Sequence, residues 1–277
     1  MTHTAGAIAA DHGRPLEPAR ARSIARAFAP AHPLGNRHDY YYTLIKLRSD
    51  PLYPGVLAAL RGTREPVLDL GCGLGLLAHA LRQDGQSMPY YGVDIDADKI
   101  GRGRRVAARS GLADVHFDVV DLARTTPSHA GSVAILDVLQ YLQQPAQQAL
   151  LSTVGAMLTP GARLVIRTGL SEESRRGRTT RIADRLASLV GWMQERARCY
   201  PTRDGLEAML ATAGLRATFA PLYGNTPFNN WLVVAERAGD TAALTPGARA
   251  AEVIGRLSPS AAPSPTHAAH RGRRRTP

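Results

Sequence analysis

The run Val67-Leu68-Asp69-Leu70-Gly71-Cys72-Gly73-Leu74-Gly75 decides the fold of this 277-residue chain. Its first four residues are mostly apolar and predict a buried strand. Three glycines at alternate positions follow, and they predict a tight turn in which the backbone can approach a ligand closely. A helix after such a turn directs free N–H groups and the positive end of its dipole at that ligand. The run therefore predicts a strand–turn–helix binding site.

The acid in this run narrows the class of ligand. A dinucleotide fingerprint requires a third glycine where this chain has Leu76. Asp69 ends the strand two residues before the first glycine, where a carboxylate would repel a pyrophosphate and attract an ammonium group. A helix-capping acid is the alternative interpretation of Asp69. The run thus favours a ligand that carries a positive charge.

A second acid closes the next predicted strand, in Gly92-Val93-Asp94-Ile95-Asp96, 23 residues beyond Gly71. At the carboxyl end of a neighbouring parallel strand, Asp94 can accept hydrogen bonds from both ribose hydroxyls of a nucleoside. The alternative is that Asp94 caps the helix that starts near Asp96. The two acids together predict a ligand with a ribose and an ammonium group.

Short apolar runs alternate with helical segments along most of the chain. The predicted strands are Pro66–Leu70, Tyr90–Asp94, Val115–Val119, Val133–Leu136, Arg163–Thr168, Arg216–Tyr223 and Trp231–Glu236. The predicted helices are Leu74–Gln86, Asp96–Ser110, Pro145–Leu158, Thr179–Arg198 and Thr202–Ala213. We therefore predict a doubly wound α/β fold, with a mostly parallel seven-stranded sheet, helices on both faces and an antiparallel C-terminal edge hairpin.

The motifs, in this order and spacing, resemble those of the class I S-adenosylmethionine-dependent methyltransferases. Asp69 to Gly75 is similar to the first motif of that family, and Asp94 matches its ribose-binding acid. Phe117–Leu122, Ala134–Leu142 and Thr159–Ile166 resemble the segments around its third, fourth and fifth strands. The resemblance covers about Asp39 to Glu236 and implies a Rossmann-like methyltransferase fold. It also implies that S-adenosylmethionine is the cofactor and S-adenosylhomocysteine the product, without a metal.

The resemblance implies a set of cofactor-binding residues, which are Asp69, Gly71, Cys72, Gly73, Asp94, Ile95, Asp121, Leu122 and Asp137. Asp121, rather than Asp118, aligns with the acid that meets the adenine amine, and a loop acid is the alternative. Asp137 borders the methionine portion, unless it is a solvated carboxylate at a helix start. Cys72 is expected to be small beside the ligand rather than nucleophilic.

The segments that vary in this family are expected to define the methyl acceptor. His38, Tyr42 and Tyr141 are the candidate catalytic residues, with His38 as a candidate base. The adjacent tyrosines Tyr40–Tyr42 predict a lid over the sulfonium, or else simple packing of a helix on the sheet. The arginines of 175–185 could bind an acidic carrier or form a solvated helix face. The Gly224–Trp231 loop could line the pocket.

Composition and charge predict the domain boundaries. Of the net charge of +11, residues 1–37 contribute +3, residues 38–237 contribute +4 and residues 238–277 contribute +4. We predict a flexible basic segment over 1–36, a methyltransferase domain over 37–237 and a flexible tail over 238–277. Within the domain, 37–62 forms lid helices and 170–200 a substrate-side insert. Removing residues 1–30 and 245–277 is therefore expected to leave the melting temperature and the cofactor affinity nearly unchanged.

No stretch is long and apolar enough for a membrane span, and two cysteines suit a reducing cytoplasm.

A fainter similarity to methyltransferases of bacterial pigment and aryl polyene clusters implies a small-molecule acceptor, aromatic or carrier-bound, in secondary metabolism. The alternatives are an RNA or protein methyltransferase and a catalytically silent scaffold that binds the cofactor. Nucleic acid is disfavoured because no separate RNA-binding motif is visible. The sequence leaves the oligomeric state open.

Overall fold

The computed structural model describes residues 13–171, 199–226 and 228–239. Its strands are β1 Val67–Leu70, β2 Tyr90–Asp94, β3 Val115–Val119, β4 Ser132–Leu136, β5 Leu164–Gly169, β6 Leu215–Pro221 and β7 Asn230–Arg237. Its α-helices are α1 Pro18–Ala27, α2 His38–Ser49, α3 Leu52–Leu60, α4 Leu76–Gln83, α5 Ala97–Arg109, α6 Gln144–Met157 and α7 Arg203–Thr212. A 3₁₀ turn spans Leu139–Tyr141.

The seven strands form one sheet in the order β3-β2-β1-β4-β5-β7-β6. Strands β1 to β5 run parallel, and β7 lies antiparallel between β5 and β6. The predicted fold class is confirmed. The chain reverses its strand order at β1, which pairs with both β2 and β4, and ligands of such sheets bind at the carboxyl ends of the strands there.

The central strands of the sheet, β1, β4 and β5, are buried on both faces, which explains their apolar runs. Val67 and Val165 face a core with helices α1 to α5, whereas Leu68 and Ile166 face a second core with α6 and α7. Because successive side chains point to opposite faces, β1, β4 and β5 each supply both cores. The carboxyl edge of the sheet is therefore held by packing on both sides.

The predicted helix after the glycine turn is shorter than expected at both ends. It begins at Leu76 rather than Leu74, because Gly75 still has a positive φ of 75°. It ends at Gln83, two residues before Gly85, whose φ of 77° cannot continue a helix. The N-terminus of this helix therefore lies two residues further along the chain than predicted.

The prediction of a flexible N-terminal segment is wrong where the structure describes it. Helix α1 buries Ala21, Ile24 and Ala25, and the Phe28 ring packs on the buried His79 ring at a centroid distance of 5.0 Å. The arginines of this helix occupy its solvent side, so the high Arg content hid an amphipathic pattern. The packed domain therefore begins before residue 37. The tail from residue 240 and most of the 170–200 insert lie outside the described residues.

Within the described ranges, no helix is long and apolar enough to cross a membrane. The same residues contain no group of three His, Cys, Asp or Glu side chains that could hold a metal ion.

Candidate functional site

The glycine turn after β1 is shaped by its neighbours and leaves one side open. A Cβ atom on Gly71 would lie 2.3 Å from Val138 Cγ2, and one on Gly75 would lie 2.4 Å from the Phe117 ring. Both glycines also have positive φ, of 82° and 75°. A Cβ on Gly73 would meet no atom of the described chain within 4 Å. Packing therefore requires the outer glycines, while Gly73 exposes its backbone to a ligand.

Asp69 is a buried acid with an unused oxygen. Its Oδ2 accepts a hydrogen bond of 2.6 Å from the Tyr90 hydroxyl, and its Oδ1 is buried without a hydrogen-bond partner. Burial raises the pKa of Asp69 to about 7, although the Tyr90 hydrogen bond opposes this and the Asp94 charge adds to it. Helix α4 takes no capping hydrogen bond from a side chain, so Asp69 is not its cap. The free oxygen suits a donor such as an ammonium group.

Asp94 connects the glycine turn to the end of β2. Its Oδ2 accepts from the Gly73 N–H at 2.8 Å, and its Oδ1 accepts from the Asp96 N–H at 2.9 Å. Asp96 itself caps α5, accepting from the N–H groups of Asp98 and Lys99 at 3.0 Å each. The capping alternative for Asp94 is therefore wrong. A carboxylate offers about four acceptor positions, so Asp94 keeps two for further donors.

The two acids near β3 have different surroundings. Asp118 lies on the strand and is engaged by the Tyr91 hydroxyl at 2.9 Å and by Arg104 at 2.5 Å. Asp121 follows the strand, accepts from the Ala123 N–H at 2.9 Å and forms an ion pair of 3.4 Å with Arg124. Only Asp121 lies beyond the carboxyl end of β3, on the side of the glycine turn. Its contact with adenine stays a prediction.

The apolar members of the predicted cofactor set surround these acids. Ile95 follows Asp94 and is 65% exposed, whereas Leu122 is partly buried against the second core. Burial raises the pKa of the Cys72 thiol well above its ordinary value, so the side chain is a neutral thiol near pH 7. A Cβ on Gly92 would lie 2.8 Å from Cys72 Sγ, so the space there is already tight. These contacts agree with a packing role for Cys72.

Asp137, the last of the set, is not a solvated carboxylate at a helix start. It follows β4 with a φ of +62°, a left-handed conformation that costs a residue with a side chain about 1–3 kcal/mol. Its N–H donates to the Arg167 carbonyl at 2.8 Å, and its Oδ2 accepts from the Arg167 guanidinium. Lys46 Nζ lies 3.5 Å from the same oxygen. The alternative for Asp137 is therefore wrong.

These contacts belong to a cluster, the ion ring, in which Asp50 and Arg167 are buried and Lys46 and Asp137 are partly buried. Arg167 donates to both Asp50 oxygens at 3.0 and 3.1 Å, and Lys46 donates to Asp50 at 2.7 Å. Burial opposes the charges of Asp50 and Lys46, but the opposite charges outweigh it: they lower the pKa of Asp50 to about 2 and raise that of Lys46. Removing one partner of such a buried pair costs about 3–5 kcal/mol.

Sequence reasoning missed three members of the ion ring. One usable signal was Arg167, a charged residue inside the otherwise uncharged run of β5. Another was Lys46, placed four residues before Asp50, a spacing that brings the two side chains together. Neither signal shows by itself that these residues meet Asp137, which lies 91 residues after Lys46 and 30 residues before Arg167.

The predicted tyrosine lid is only partly formed by the three adjacent tyrosines. Tyr42 is partly buried against the first core, whereas Tyr41 is 50% exposed and contacts Tyr40 edge to face at 5.0 Å. Consecutive residues of a helix point about 100° apart, so all three cannot face one site. Tyr53 of α3, which the sequence did not single out, is buried. Burial, Tyr42 and the nearby acids of the site raise the Tyr53 pKa well above its ordinary value.

The other acceptor-site candidates are scattered. His38 begins α2 with 64% of its side chain exposed and stacks on Tyr42 at 6.4 Å. Tyr141 is partly buried at the end of the 3₁₀ turn. Asn229, in the hairpin loop, donates to the Leu170 carbonyl at 3.1 Å and so anchors the end of β5. The catalytic roles stay predictions, and the arginine cluster of 175–185 lies outside the described residues.

The chain resembles known methyltransferases in sequence. Residues 62–197 match a family model described as a methyltransferase domain. The ubiquinone biosynthesis O-methyltransferase of Neisseria meningitidis serogroup C (strain 053442) is 32% identical over 92 residues. That match covers 32% of this chain and 37% of that protein. The chain therefore spans well under half the length of this curated relative.

Solved structures share the fold at low identity. Magnesium protoporphyrin IX methyltransferase from Synechocystis PCC 6803, with bound SAH, superposes with a TM-score of 0.53 at 18% identity, over 77% of this chain and 92% of that one. An O-methyltransferase (NcsB1) from neocarzinostatin biosynthesis, in complex with SAH and 1,4-dihydroxy-2-naphthoic acid, superposes with a TM-score of 0.52 at 18% identity, over 71% and 56%. The family model identifies residues 62–197 as a methyltransferase domain, and the solved structures show that the chain shares the fold of methyltransferases that bind SAH.

Proposed function

We propose that this protein transfers a methyl group from S-adenosylmethionine to a hydroxyl group of a small aromatic molecule. The observation that carries the cofactor part is the buried Oδ1 of Asp69, which has no hydrogen-bond partner and lies next to the glycine turn. A buried carboxylate oxygen without a donor is costly, and the ammonium group of the cofactor would satisfy it. When bound, the cofactor supplies a methyl group on a cationic sulfur.

The residues around the turn divide the work of binding. Asp94 would accept from the ribose hydroxyls with its remaining lone pairs, while the open backbone at Gly73 leaves room for the ligand. Asp121 would accept from the adenine amine, and the exposed Ile95 side chain would cover one face of the ring. Gly73 lies in the glycine turn, Asp94 and Ile95 lie at the end of β2, and Asp121 follows β3.

The acceptor part rests on the relatives and on helices α2 and α3, here called the cap helices. The curated relatives are named as O-methyltransferases of ubiquinone biosynthesis, which supports oxygen as the methylated atom. Helices α2 and α3 contribute Tyr42 and Tyr53, and such rings suit an aromatic acceptor and a cationic sulfur. The chain's main task is to hold the acceptor dry and in line with the methyl group.

A base is needed only where the acceptor hydroxyl keeps its proton. Lys46 does not serve, because the neighbouring carboxylates raise its pKa and keep it protonated. His38, Tyr42 and Tyr141 are the candidates, and single substitutions to Phe or Gln followed by pH–rate profiles would identify the one that matters. The proposal places this reaction in the cytoplasm, where the free thiols of Cys72 and Cys199 would stay reduced.

Two measurements test the proposal. Calorimetric titration with S-adenosylhomocysteine should show binding by the full chain, and a folded sample that does not bind it would refute the cofactor part. Turnover with labelled S-adenosylmethionine is then compared across phenolic acids, quinols, carrier-bound acyl chains of secondary metabolism, and RNA. Methylation of the phenols or quinols supports the proposal, whereas turnover confined to RNA or to a protein would overturn the acceptor part.

A further inference from the structure

The ion ring links the end of α2 to strands β4 and β5 at the carboxyl edge of the sheet. Lys46 comes from α2, Asp50 from the turn that starts α3, Arg167 from β5 and Asp137 from the residue after β4. Each cation lies within 4.0 Å of both anions, so the four contacts close a circuit. A closed circuit of this kind fixes the mutual position of all four backbones, because moving one separates two pairs.

The ring also reaches the glycine turn through Asp137. The next residue, Val138, packs so closely on Gly71 that a Cβ on the glycine would lie 2.3 Å from it. Asp137 itself stands in a left-handed conformation that the Arg167 contacts hold, one through its N–H and one through its carboxylate. Displacing Asp137 would therefore displace the wall against which the glycine turn rests.

The ring also contacts the cap helices, α2 and α3. Lys46 lies on the same helix as Tyr42, one turn away, and Asp50 accepts from the Leu52 N–H at 3.0 Å at the start of α3. The cap helices carry the tyrosines that the proposed function assigns to the acceptor. The ring thus stands between the part that binds the cofactor and the part that would bind the acceptor.

We propose that Arg167 is a positioning residue, which through the ion ring holds helix α2 at a fixed distance from the glycine turn and so aligns the acceptor with the methyl group. This inference rests on the proposed function. Replacing a whole buried ionic cluster with apolar residues often leaves a fold equally stable, so stability alone does not explain this ring. Misplacing an acceptor by about 1 Å can reduce turnover about 100-fold.

The test compares Arg167→Met with Arg163→Met. Arg163 precedes the same strand, is also largely buried, and pairs with Glu236 at 2.8 Å at the opposite edge of the sheet. Amide hydrogen exchange of residues 38–49 and of the glycine turn, 71–75, is measured in the full chain with and without S-adenosylhomocysteine. We expect the ligand to slow exchange in α2 and in the glycine turn of the unaltered chain and of Arg163→Met. In Arg167→Met the ligand should slow exchange in the glycine turn but not in α2.

Kinetics supply the second readout. At a temperature at which all variants are folded, Arg167→Met should lower kcat about 10–100-fold, with a smaller change in cofactor affinity, while Arg163→Met keeps its kcat. Arg167→Lys should restore part of the loss. Should Arg167→Met fail to fold, the more accessible Lys46→Met breaks the same ring and should uncouple α2 in the same way.

Unchanged coupling of α2 in a folded Arg167→Met or Lys46→Met protein would overturn the inference, as would equal kcat values for Arg167→Met and Arg163→Met. These outcomes differ from failure of the proposed function, in which the unaltered chain itself binds no S-adenosylhomocysteine or methylates no acceptor. In that case the exchange rates of α2 without ligand still report whether the ring holds the helix.

Discussion

The buried Asp69 predicts a pH dependence of cofactor binding. Its pKa in the free protein is about 7, because burial disfavours its charge, yet the ammonium group of the ligand requires the carboxylate form. Binding must therefore remove a proton wherever Asp69 is still protonated. Affinity should rise as the pH rises through about 7 and level off above it.

The size of the effect follows from this pKa. At pH 6 about nine-tenths of Asp69 is protonated, and at pH 8 about one-tenth, so affinity should differ about tenfold, or about 1.4 kcal/mol. The stability of the ligand-free protein depends on pH with the opposite sign. A folded pKa of about 7 lies above the ordinary 3.8, so this group lowers the free energy of unfolding as the pH rises from about 4 to about 7.

The assay is calorimetric titration of S-adenosylhomocysteine between pH 6 and pH 8, in buffers with different ionisation enthalpies that reveal proton release. Asp69→Asn, which cannot ionise, should bind weakly and lose the protein's share of the pH dependence. Asp98→Asn, which removes an exposed acid from the first turn of α5, is the matched control and should keep it. A flat affinity profile for the unaltered chain, or the same slope in Asp69→Asn, would refute the reasoning.

Three further substitutions have defined outcomes. Asp94→Ala should weaken S-adenosylhomocysteine binding about 10–300-fold by calorimetry, through loss of two charge-assisted hydrogen bonds, and Asp98→Ala should leave it unchanged. Ile24→Ala should lower the free energy of unfolding, measured in urea, by about 2–4 kcal/mol. Its control, Arg22→Ala on the exposed side of α1, should change this free energy by less than about 0.5 kcal/mol. Equal effects of the two substitutions would mean that α1 is not packed. Gly75→Ala should abolish binding and lower Tm, because its new methyl group would lie 2.4 Å from an aromatic ring.

The N-terminal segment shows where composition misled the sequence analysis. Its arginines and alanines are typical of a flexible end, but a helix needs only a few apolar residues on one face to pack. Ile24 and Phe28 stand four residues apart and, with Ala21, form that face. Removal of residues 1–30 should therefore destabilise the domain, contrary to the expectation from composition. The correct interpretation required the partner surface, which includes His79 of α4.

The sequence by itself determined the alternation of strands and helices, the glycine turn and the acids Asp69 and Asp94. These features are local, because the period of apolar residues and the conformational needs of glycine act over a few neighbours. Only the tertiary structure decided that Asp137 joins Lys46, Asp50 and Arg167. The pairing of these charges depends on how β4, β5 and the cap helices meet. A charge removed from water needs a charged partner, and the partners in the Lys46–Asp137 and Asp50–Arg167 pairs lie about 90 to 120 residues apart in the chain.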